Sequence, residues 1–267
     1  MKIAVVTPYF REPPEILQRC MESVRAQTHP CTHYMVADGH RNPVVDGSGS
    51  GLRHIALPVA HGDYGGVART IGSLRAAADG SDAIAWLDAD NWFRPDHLET
   101  MRKCFEKNGK PLCAAWRTLH RPDGSEMPLD VDQEMRGQHV DTNCWLVVRP
   151  AYALLTGWLM PQGLSVIGDR IVFEMARRMG LTGAMTRRRT VCYSTLYRDH
   201  YQRVGETPPP DAKSGIYKAG LDYLANRRNH ATIVATLGFL PHGRGEEFDR
   251  DEGDGGVLVR RAETAGS

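Results

Sequence analysis

The stretch that decides the fold is 83-AIAWLDADNWFRP-95, an apolar run up to Leu87 that ends in two aspartates, Asp88 and Asp90. A short apolar run closed by polar residues is typical of a buried β-strand. If the chain stays extended through the aspartates, their side chains, two residues apart, point to the same side of it. The pair could then share one divalent cation, most naturally Mg²⁺ or Mn²⁺, because these ions favour oxygen ligands. The alternative is a solvated loop with two surface acids, one of them capping a helix.

Upstream of this stretch, apolar β-type runs alternate with segments whose apolar residues recur at helical spacing. The predicted strands are residues 2–8, 33–39, 52–58 and 83–90, and the predicted helices are 15–27, 65–79 and 95–107. This alternation predicts an α/β fold with a parallel, doubly wound sheet. In such sheets ligands bind outside the carboxyl ends of the strands. Three of these ends carry polar groups, at residues 7–9, 38–39 and 88–90, and we expect them to converge on one crevice.

The second half of the chain has a different pattern. Strands are predicted at 112–121, 139–150 and 189–201, a helix from about Asp169, and a further helix over 216–237 after the proline-rich break at 207–215. We predict a single domain over residues 1–240, divided into halves at 1–110 and 111–240. The remaining residues, 241–267, are acidic and glycine-rich, and we expect them to form a disordered tail.

The amino-acid composition makes some classes of function less favoured for this protein. Lys and Arg total 33 against 32 Asp and Glu, for a net charge of +1, which does not favour a nucleic-acid partner. Six cysteines without a CxxC pair argue against a zinc site and for buried thiols in a reduced compartment. No apolar run approaches the length of about 20 residues that spans a bilayer. We therefore expect a cytoplasmic protein with no transmembrane segment, and peripheral membrane contact stays open.

Two segments near the strand ends are candidates for ligand binding. Asp38, at the end of the second strand, could accept hydrogen bonds from a base or ribose; the alternative is an Asx turn ahead of the next glycine. In 61-HGDYGGVART-70, Gly65 and Gly66 let the backbone approach a ligand, and the following helix N-terminus favours anions. Arg69 could reach a phosphate or a carbonyl there. An ordinary glycine turn with a solvated arginine is the alternative.

Four blocks in this order resemble the GT-A nucleotide-sugar transferases, and most closely the family-2 glycosyltransferases. They are VVTPYFREPPEILQRCMESVRAQTHP, VADGH, GDYGGVARTIGSLRAA and LDADNWFRPDHLE. The resemblance implies a GT-A (Rossmann-like) fold with a mostly parallel central sheet flanked by helices. It implies a nucleotide-binding half at 1–110 and an acceptor-binding half at 111–240.

The resemblance also implies a donor site. It places Pro8 and Tyr9 beside the nucleotide base, Asp38 on the base or ribose, Arg69 near the nucleotide, and Asp88 on the ribose or a metal-bound water. Asp90 would ligate Mn²⁺ or Mg²⁺. His200, in YRDHY, is the candidate for a further metal ligand, and a surface histidine in a polar loop is its alternative.

The acceptor side follows in the same way. IGDRIVFEMARRMG resembles the family's acidic element at a helix start, with Asp169 as the catalytic base and Gly168 in place of the usual first acid. The alternative for Asp169 is a helix N-terminal acid that only complements the dipole. DTNCWLVVRP resembles the acceptor-side strand, so Asp141 and Thr142 would face the acceptor sugar. Trp158, in a loop, is a further candidate for the acceptor site.

These assignments predict an inverting, metal-dependent glycosyltransferase of the hexosyl type, with a UDP-sugar donor and a hydroxyl acceptor. A sugar-1-phosphate nucleotidyltransferase is one alternative, but that class usually has a glycine-rich loop with a basic residue after the first strand, where this chain has TPYFREPP. A non-catalytic nucleotide-sugar binding module on the same fold is the other. Asp88, Asp90 and Asp169 argue against it.

Overall fold

The fold is built around one mixed sheet. The computed structural model describes residues 1–47, 49, 51–131 and 139–242, and within these residues eight strands form a sheet in the order β3-β2-β1-β4-β7-β6-β8-β5. The strands are β1 (Ile3–Tyr9), β2 (Cys31–Ala37), β3 (Leu52–Ala56), β4 (Ala83–Trp86), β5 (Trp92–Phe93), β6 (Leu112–His120), β7 (Trp145–Val148) and β8 (Gly183–Ser194).

The sheet is mostly parallel, and its direction changes at β7. β1 pairs in parallel with β2 and β4, and β2 pairs in parallel with β3. β7 is antiparallel to both β4 and β6, whereas β6 and β8 are parallel and β5 adds an antiparallel edge. The strand–helix alternation therefore produces the parallel half, as predicted, and the second half departs from it where the alternation stops.

Helices flank the sheet. They are α1 (Pro14–Arg25), α2 (Pro43–Asp46), α3 (Gly66–Ala78), α4 (His97–Asn108), α5 (Gly168–Arg178), α6 (Arg198–Arg203), α7 (Ile216–Ala225) and α8 (His230–Leu237). Short 3-10 helices span Thr142–Cys144, Arg149–Trp158, Gln162–Ile167 and Arg227–Asn229. None of the helices in the described segments is long and apolar enough to cross a membrane.

The positions of α1 and α3 follow from their sequences. The buried residues of α1 recur at helical spacing: Leu17, Cys20, Met21 and Val24. In α3, a Cβ atom at Gly72 would lie 2.6 Å from Val6 and 2.7 Å from Val36. The absence of a side chain at Gly72 therefore lets α3 lie directly on β1 and β2, which fixes the height of the helix N-terminus above the strand ends.

The prediction of an extended strand through Asp88 and Asp90 is wrong. β4 ends at Trp86, and the chain then forms a turn in which the amide of Asn91 donates to the carbonyl of Asp88 at 3.0 Å. The predicted strand 139–150 is also too long, because Asp141 caps a 3-10 helix and only Trp145–Val148 pairs in the sheet.

Three more element boundaries differ from the sequence predictions. β8 begins at Gly183 and ends at Ser194, so His200 lies in α6 rather than at a strand end. The predicted helix 216–237 is two helices, because Asn226 adopts an extended backbone (ψ 108°) and its side chain caps the next turn. Residues 243–267 of the predicted tail lie outside the described residues.

Candidate active site

A cleft of about 500 Å³ opens at the carboxyl ends of β1, β2 and β4. The predicted site residues that line it are Pro8, Tyr9, Asp38, Arg69, Asp88, Asp90, Asp141, Thr142, Trp158 and Asp169. His200 is not among the lining residues. The expected convergence of the strand ends is therefore present, and it includes groups from the second half of the chain.

Arg69 and Asp88 form the central ion pair of the cleft. Arg69 extends from the first turn of α3, is only 3% exposed, and donates from one terminal nitrogen to Asp88 Oδ1 at 2.6 Å. Its guanidinium also lies 4.4 Å from the ring centroid of Trp158. Trp158 is buried and packs edge-on against Trp86, with centroids 5.1 Å apart. One face of Trp158 thus supports Arg69, and its predicted role in acceptor binding stays a prediction.

Asn143, which the sequence analysis missed, joins the two halves of the site. Its side-chain amide donates to Asp88 Oδ2 at 3.1 Å and to Asp141 Oδ1 at 2.9 Å, and its oxygen accepts from the backbone amide of Asp88 at 2.6 Å. Asp141 in turn forms a buried ion pair with Arg117. A continuous polar chain therefore runs from Arg69 to Arg117. The feature of the sequence that could have indicated Asn143 is the polar run DTN, which stands ahead of an apolar strand.

Asp90 differs from Asp88 in its contacts with the protein. Its side chain is exposed in the cleft, and within the described residues no side chain forms an ion pair with it. Burial raises the pKa of Asp90 to about 7, and the charges of Asp88 and Glu12 add to the shift, while Lys213 opposes it. Solvent reaches the carboxylate from the cleft, but protein atoms crowd its other sides, which accounts for an upward shift despite this exposure.

Cation binding at Asp90 stays a prediction, for which this site supplies one carboxylate exposed in the cleft. Mg²⁺ and Mn²⁺ are commonly held by one or two carboxylates together with waters and substrate phosphates. Among the described residues no other side chain bonds to the Asp90 carboxylate, whereas both oxygens of Asp88 already accept hydrogen bonds. Across the part of the chain that the structure describes, no three His, Cys, Asp or Glu side chains form a cluster able to hold a metal by themselves.

His200 does not line the cleft that Asp90 lines. It is 8% exposed, its Nδ1 lies 2.7 Å from the hydroxyl of Thr195, and its ring packs edge-on against Tyr197. The hydrogen bond ties the histidine to the end of β8. Such contacts are those of a residue that fixes the start of α6, and metal ligation by His200 stays a prediction.

Two predicted nucleotide-binding groups are already bonded within the protein. Asp38 accepts from the backbone amides of His61 and Gly62 and lies 2.8 Å from His61 Nδ1, so it fixes the loop that leads into α3. The Tyr9 hydroxyl lies 2.8 Å from His54 Nε2 and accepts from the amide of Asn42 at 3.1 Å. Both residues line the cleft, and both shape its wall.

Two exposed aromatic side chains at the cleft were missed by the sequence analysis. Phe10 is 38% exposed and Tyr64 is 62% exposed, and both line the opening. Tyr64 has φ of +56°, a left-handed conformation that is uncommon for any residue other than glycine. Strain of this kind concentrates at functional sites. Tyr64 belongs to the loop that Asp38 holds in place, and its ring lies at the opening of the cleft.

Asp169 lies in the first turn of α5, at the end of the helix where the dipole interacts favourably with acidic side chains. Its Oδ1 accepts from the amide of Arg170 at 2.8 Å, and its Oδ2 lies 3.6 Å from Nε2 of His139. The Asp169 side chain is 26% exposed and lines the cleft. It is therefore an accessible carboxylate with a histidine beside it. His139 follows a polar stretch of sequence, and nothing in the sequence pattern singled it out.

Glycosyl transferase family 2 matches the chain over residues 4–149, more than half of its 267 residues. This protein belongs to glycosyl transferase family 2. The family-2 match runs from β1 to the end of β7 and so includes every predicted donor residue from Pro8 to Asp90. Asp169 lies beyond it.

One curated relative is the succinoglycan biosynthesis protein ExoW of Rhizobium meliloti (strain 1021), which is 37% identical over 103 residues. That alignment covers 36% of this chain and 32% of ExoW, so the chain spans about a third of the relative. Among solved structures, S. aureus TarS 1–349 in complex with UDP matches with a TM-score of 0.55 at 12% identity, over 85% of this chain and 66% of that one. The complex of the same TarS fragment with UDP-GlcNAc matches with a TM-score of 0.51 at 11% identity, over 85% of this chain and 67% of that one. At such identity the likeness shows a shared fold, the GT-A fold of the family.

Proposed function

We propose that this protein is an inverting, metal-dependent glycosyltransferase that moves a hexosyl group from a UDP-sugar to a hydroxyl of an acceptor. The observation that carries the proposal is that one cleft contains both an exposed carboxylate after β4, Asp90, and an accessible carboxylate at the start of α5, Asp169. These are the two groups that such a reaction needs, one for a cation at the leaving diphosphate and one for the acceptor proton.

The donor assignment is supported by position and by the comparisons. The cleft lies at the carboxyl ends of parallel strands, where α/β sheets bind nucleotides. Two of the TarS structures that share this fold are complexes, one with UDP and one with UDP-GlcNAc. A nucleotide-diphosphate sugar of the uridine series is therefore the donor to test first.

Asp90 would hold Mn²⁺ or Mg²⁺ together with oxygens of the donor diphosphate. When bound, the ion supplies positive charge to the leaving diphosphate. Asp88, fixed by Arg69 and Asn143, is oriented to accept a hydrogen bond from the ribose or from water. The ion pair with Arg69 would hold the Asp88 carboxylate in place while the ligand enters.

Asp169 would act as the general base. As the acceptor oxygen attacks the anomeric carbon, its proton passes to an oxygen of Asp169, and the bond from that carbon to the diphosphate oxygen breaks with its electron pair on the oxygen. Attack of the acceptor oxygen from the side opposite the leaving diphosphate inverts the anomeric centre, and a base on that side accepts the proton. His139, 3.6 Å away, limits the positions open to the carboxylate. Thr142, beside the buried Asp141, lines the cleft and is our candidate for a contact with the acceptor.

The test compares two variants with the wild type in nucleotide binding and in sugar transfer. Asp169→Asn should retain binding of UDP with Mn²⁺ but lose roughly a hundred-fold or more in kcat, since general-base catalysis contributes about 10²–10⁴-fold. Asp90→Asn should instead lose the Mn²⁺-dependent part of UDP binding. Asp222→Asn, which alters an exposed ion pair on α7, is the control and should change neither.

Three outcomes would overturn the proposal or redirect it. A product that keeps the anomeric configuration of the donor would contradict the inverting mechanism. Pyrophosphate release that depends on a nucleoside triphosphate and a sugar 1-phosphate would indicate a nucleotidyltransferase. Donor binding without transfer or hydrolysis, across UDP- and GDP-sugars and a panel of acceptors, would indicate a binding module.

A further inference from the structure

Acidic side chains outnumber basic ones in the lining of the cleft. The acidic residues that line it are Glu12, Asp38, Asp63, Asp88, Asp90, Asp141 and Asp169, and the basic residues that line it are Arg69 and Lys213. A donor diphosphate is itself an anion, so most of this lining repels it. Where the diphosphate can lie therefore depends on the few positive groups that face it.

Arg69 is largely committed to the protein. Its side chain is 4% exposed, its charge is paired with Asp88 at 2.6 Å, and its guanidinium plane lies on Trp158. A buried, neutralised and stacked arginine has little charge left for a ligand. It acts chiefly as a support for Asp88.

Lys213 has the opposite properties. Its side chain is exposed at the cleft, and within the described residues its ammonium has no hydrogen-bond or ion-pair partner. It lines the same cleft as Asp90, and its charge acts on that carboxyl. Lys213 thus places an unpaired positive charge, as far as the described residues go, beside the carboxylate proposed to hold the cation.

The backbone fixes Lys213 at this place. Its amide donates to the carbonyl of Leu196 at 2.7 Å, and its carbonyl accepts from the amide of Arg198 at 2.9 Å. These bonds make a parallel bridge with Tyr197, which also lines the cleft. The backbone of Lys213 is therefore held against the segment after β8, and its side chain can still change position. No pattern in the sequence indicated this, since TPPPDAKSG has the composition of a simple break.

We propose that Lys213 binds the diphosphate of the donor and of the nucleotide product, beside the cation site at Asp90. An ammonium is a compact point charge with three N–H donors, which suits the changing positions of phosphate oxygens. When the bond to the sugar breaks, the electron pair stays on the diphosphate oxygen, and Lys213 stabilises that charge without transferring a proton. This assignment rests on the proposed function and adds a residue that lies outside the family-2 match.

The experiment measures binding of UDP and of UMP by calorimetry, with and without Mn²⁺, at two salt concentrations. Lys213→Ala should weaken UDP binding by about ten-fold or more, since hydrogen bonds to charged groups are among the stronger ones, and should change UMP binding much less. It should also reduce the salt dependence of UDP binding. Lys213→Arg should restore most of the UDP affinity. Lys218→Ala removes an exposed lysine that pairs with Asp222 on the nearby α7, and it should bind as the wild type does.

Two results separate this inference from the proposed function. If the wild type binds UDP and Lys213→Ala binds it equally well, or loses UDP and UMP affinity by the same factor, the role of Lys213 is refuted and the proposed function stands. If the wild type binds neither UDP nor GDP with Mn²⁺, both are refuted. Circular dichroism of each variant establishes that it is folded before its binding is compared.

Discussion

Replacing Asn143 tests the polar chain that joins the two halves of the cleft. Asn143→Ala removes three hydrogen bonds at once, two of them to the carboxylates of Asp88 and Asp141. Asn143 is fully buried and the side chain of Asp141 is 8% exposed, so water cannot replace the bond to Asp141; Asp88, at 32%, regains part of its hydration. At roughly 1 kcal/mol for each bond, we expect a loss of about 3 kcal/mol in the free energy of unfolding.

Thermal unfolding followed by circular dichroism measures this loss. For a chain of this length, about 3 kcal/mol corresponds to a decrease in Tm of about 6–12 °C. Asn108→Ala is the matched control: Asn108 is exposed at the end of α4 and donates to the carbonyl of Cys104, so its loss should cost under about 1 kcal/mol.

A third variant sharpens the test. Asn143→Asp keeps the shape of the side chain but turns its donor into a third carboxylate facing Asp88 and Asp141, so it should be less stable than Asn143→Ala at neutral pH. The reasoning is refuted if Asn143→Ala melts within 2 °C or so of the Asn108→Ala control, or if Asn143→Asp is the more stable of the two Asn143 variants.

Two further predictions concern stability. Gly72→Ala should destabilise the fold by about 1–3 kcal/mol through overpacking, because its Cβ would lie 2.6 Å from the nearest sheet side chain. The control is Gly47→Ala, whose Cβ would meet only a carbonyl oxygen at 3.9 Å. Urea titration of both variants measures the difference, and equal unfolding midpoints would contradict the packing argument. Burial lowers the pKa of His97 to about 3. Below pH 6.5 the unfolded chain therefore binds a proton there that the folded chain does not, and stability falls as pH falls. The difference in unfolding free energy between wild type and His97→Gln should shrink by about 2 kcal/mol from pH 7 to pH 5; a constant difference would show that His97 titrates normally.

Much of the parallel half of the sheet could be predicted from the sequence because its elements are encoded locally. Apolar runs indicated β1, β2 and β4, and helical spacing indicated α1 and α3. The same approach was less accurate where the chain turns. The sequence pattern predicted a strand that continues through Asp88 and Asp90. In the structure β4 ends two residues before Asp88, where the turn at 88–91 begins.

The residues that line the cleft also fall into two groups, those whose position could be predicted from the sequence and those whose position could not. Asp38, Asp88 and Asp90 follow strands whose direction the alternation determines, so their meeting at one edge of the sheet is a consequence of the sequence. Residues from the second half, where strands run both parallel and antiparallel, could be assigned only by resemblance to a family.

The sequence by itself thus determined the α/β half of the fold, the edge of the sheet where ligands bind, and the acidic character of that edge. Only the tertiary structure decided which acids are free and which are bonded. Asn143 reaches Asp88 across 55 residues, Arg69 neutralises Asp88, and Lys213 comes to lie beside Asp90. The physical reason is that periodicity records how each segment meets the core, whereas hydrogen bonds and ion pairs between distant segments depend on how those segments pack.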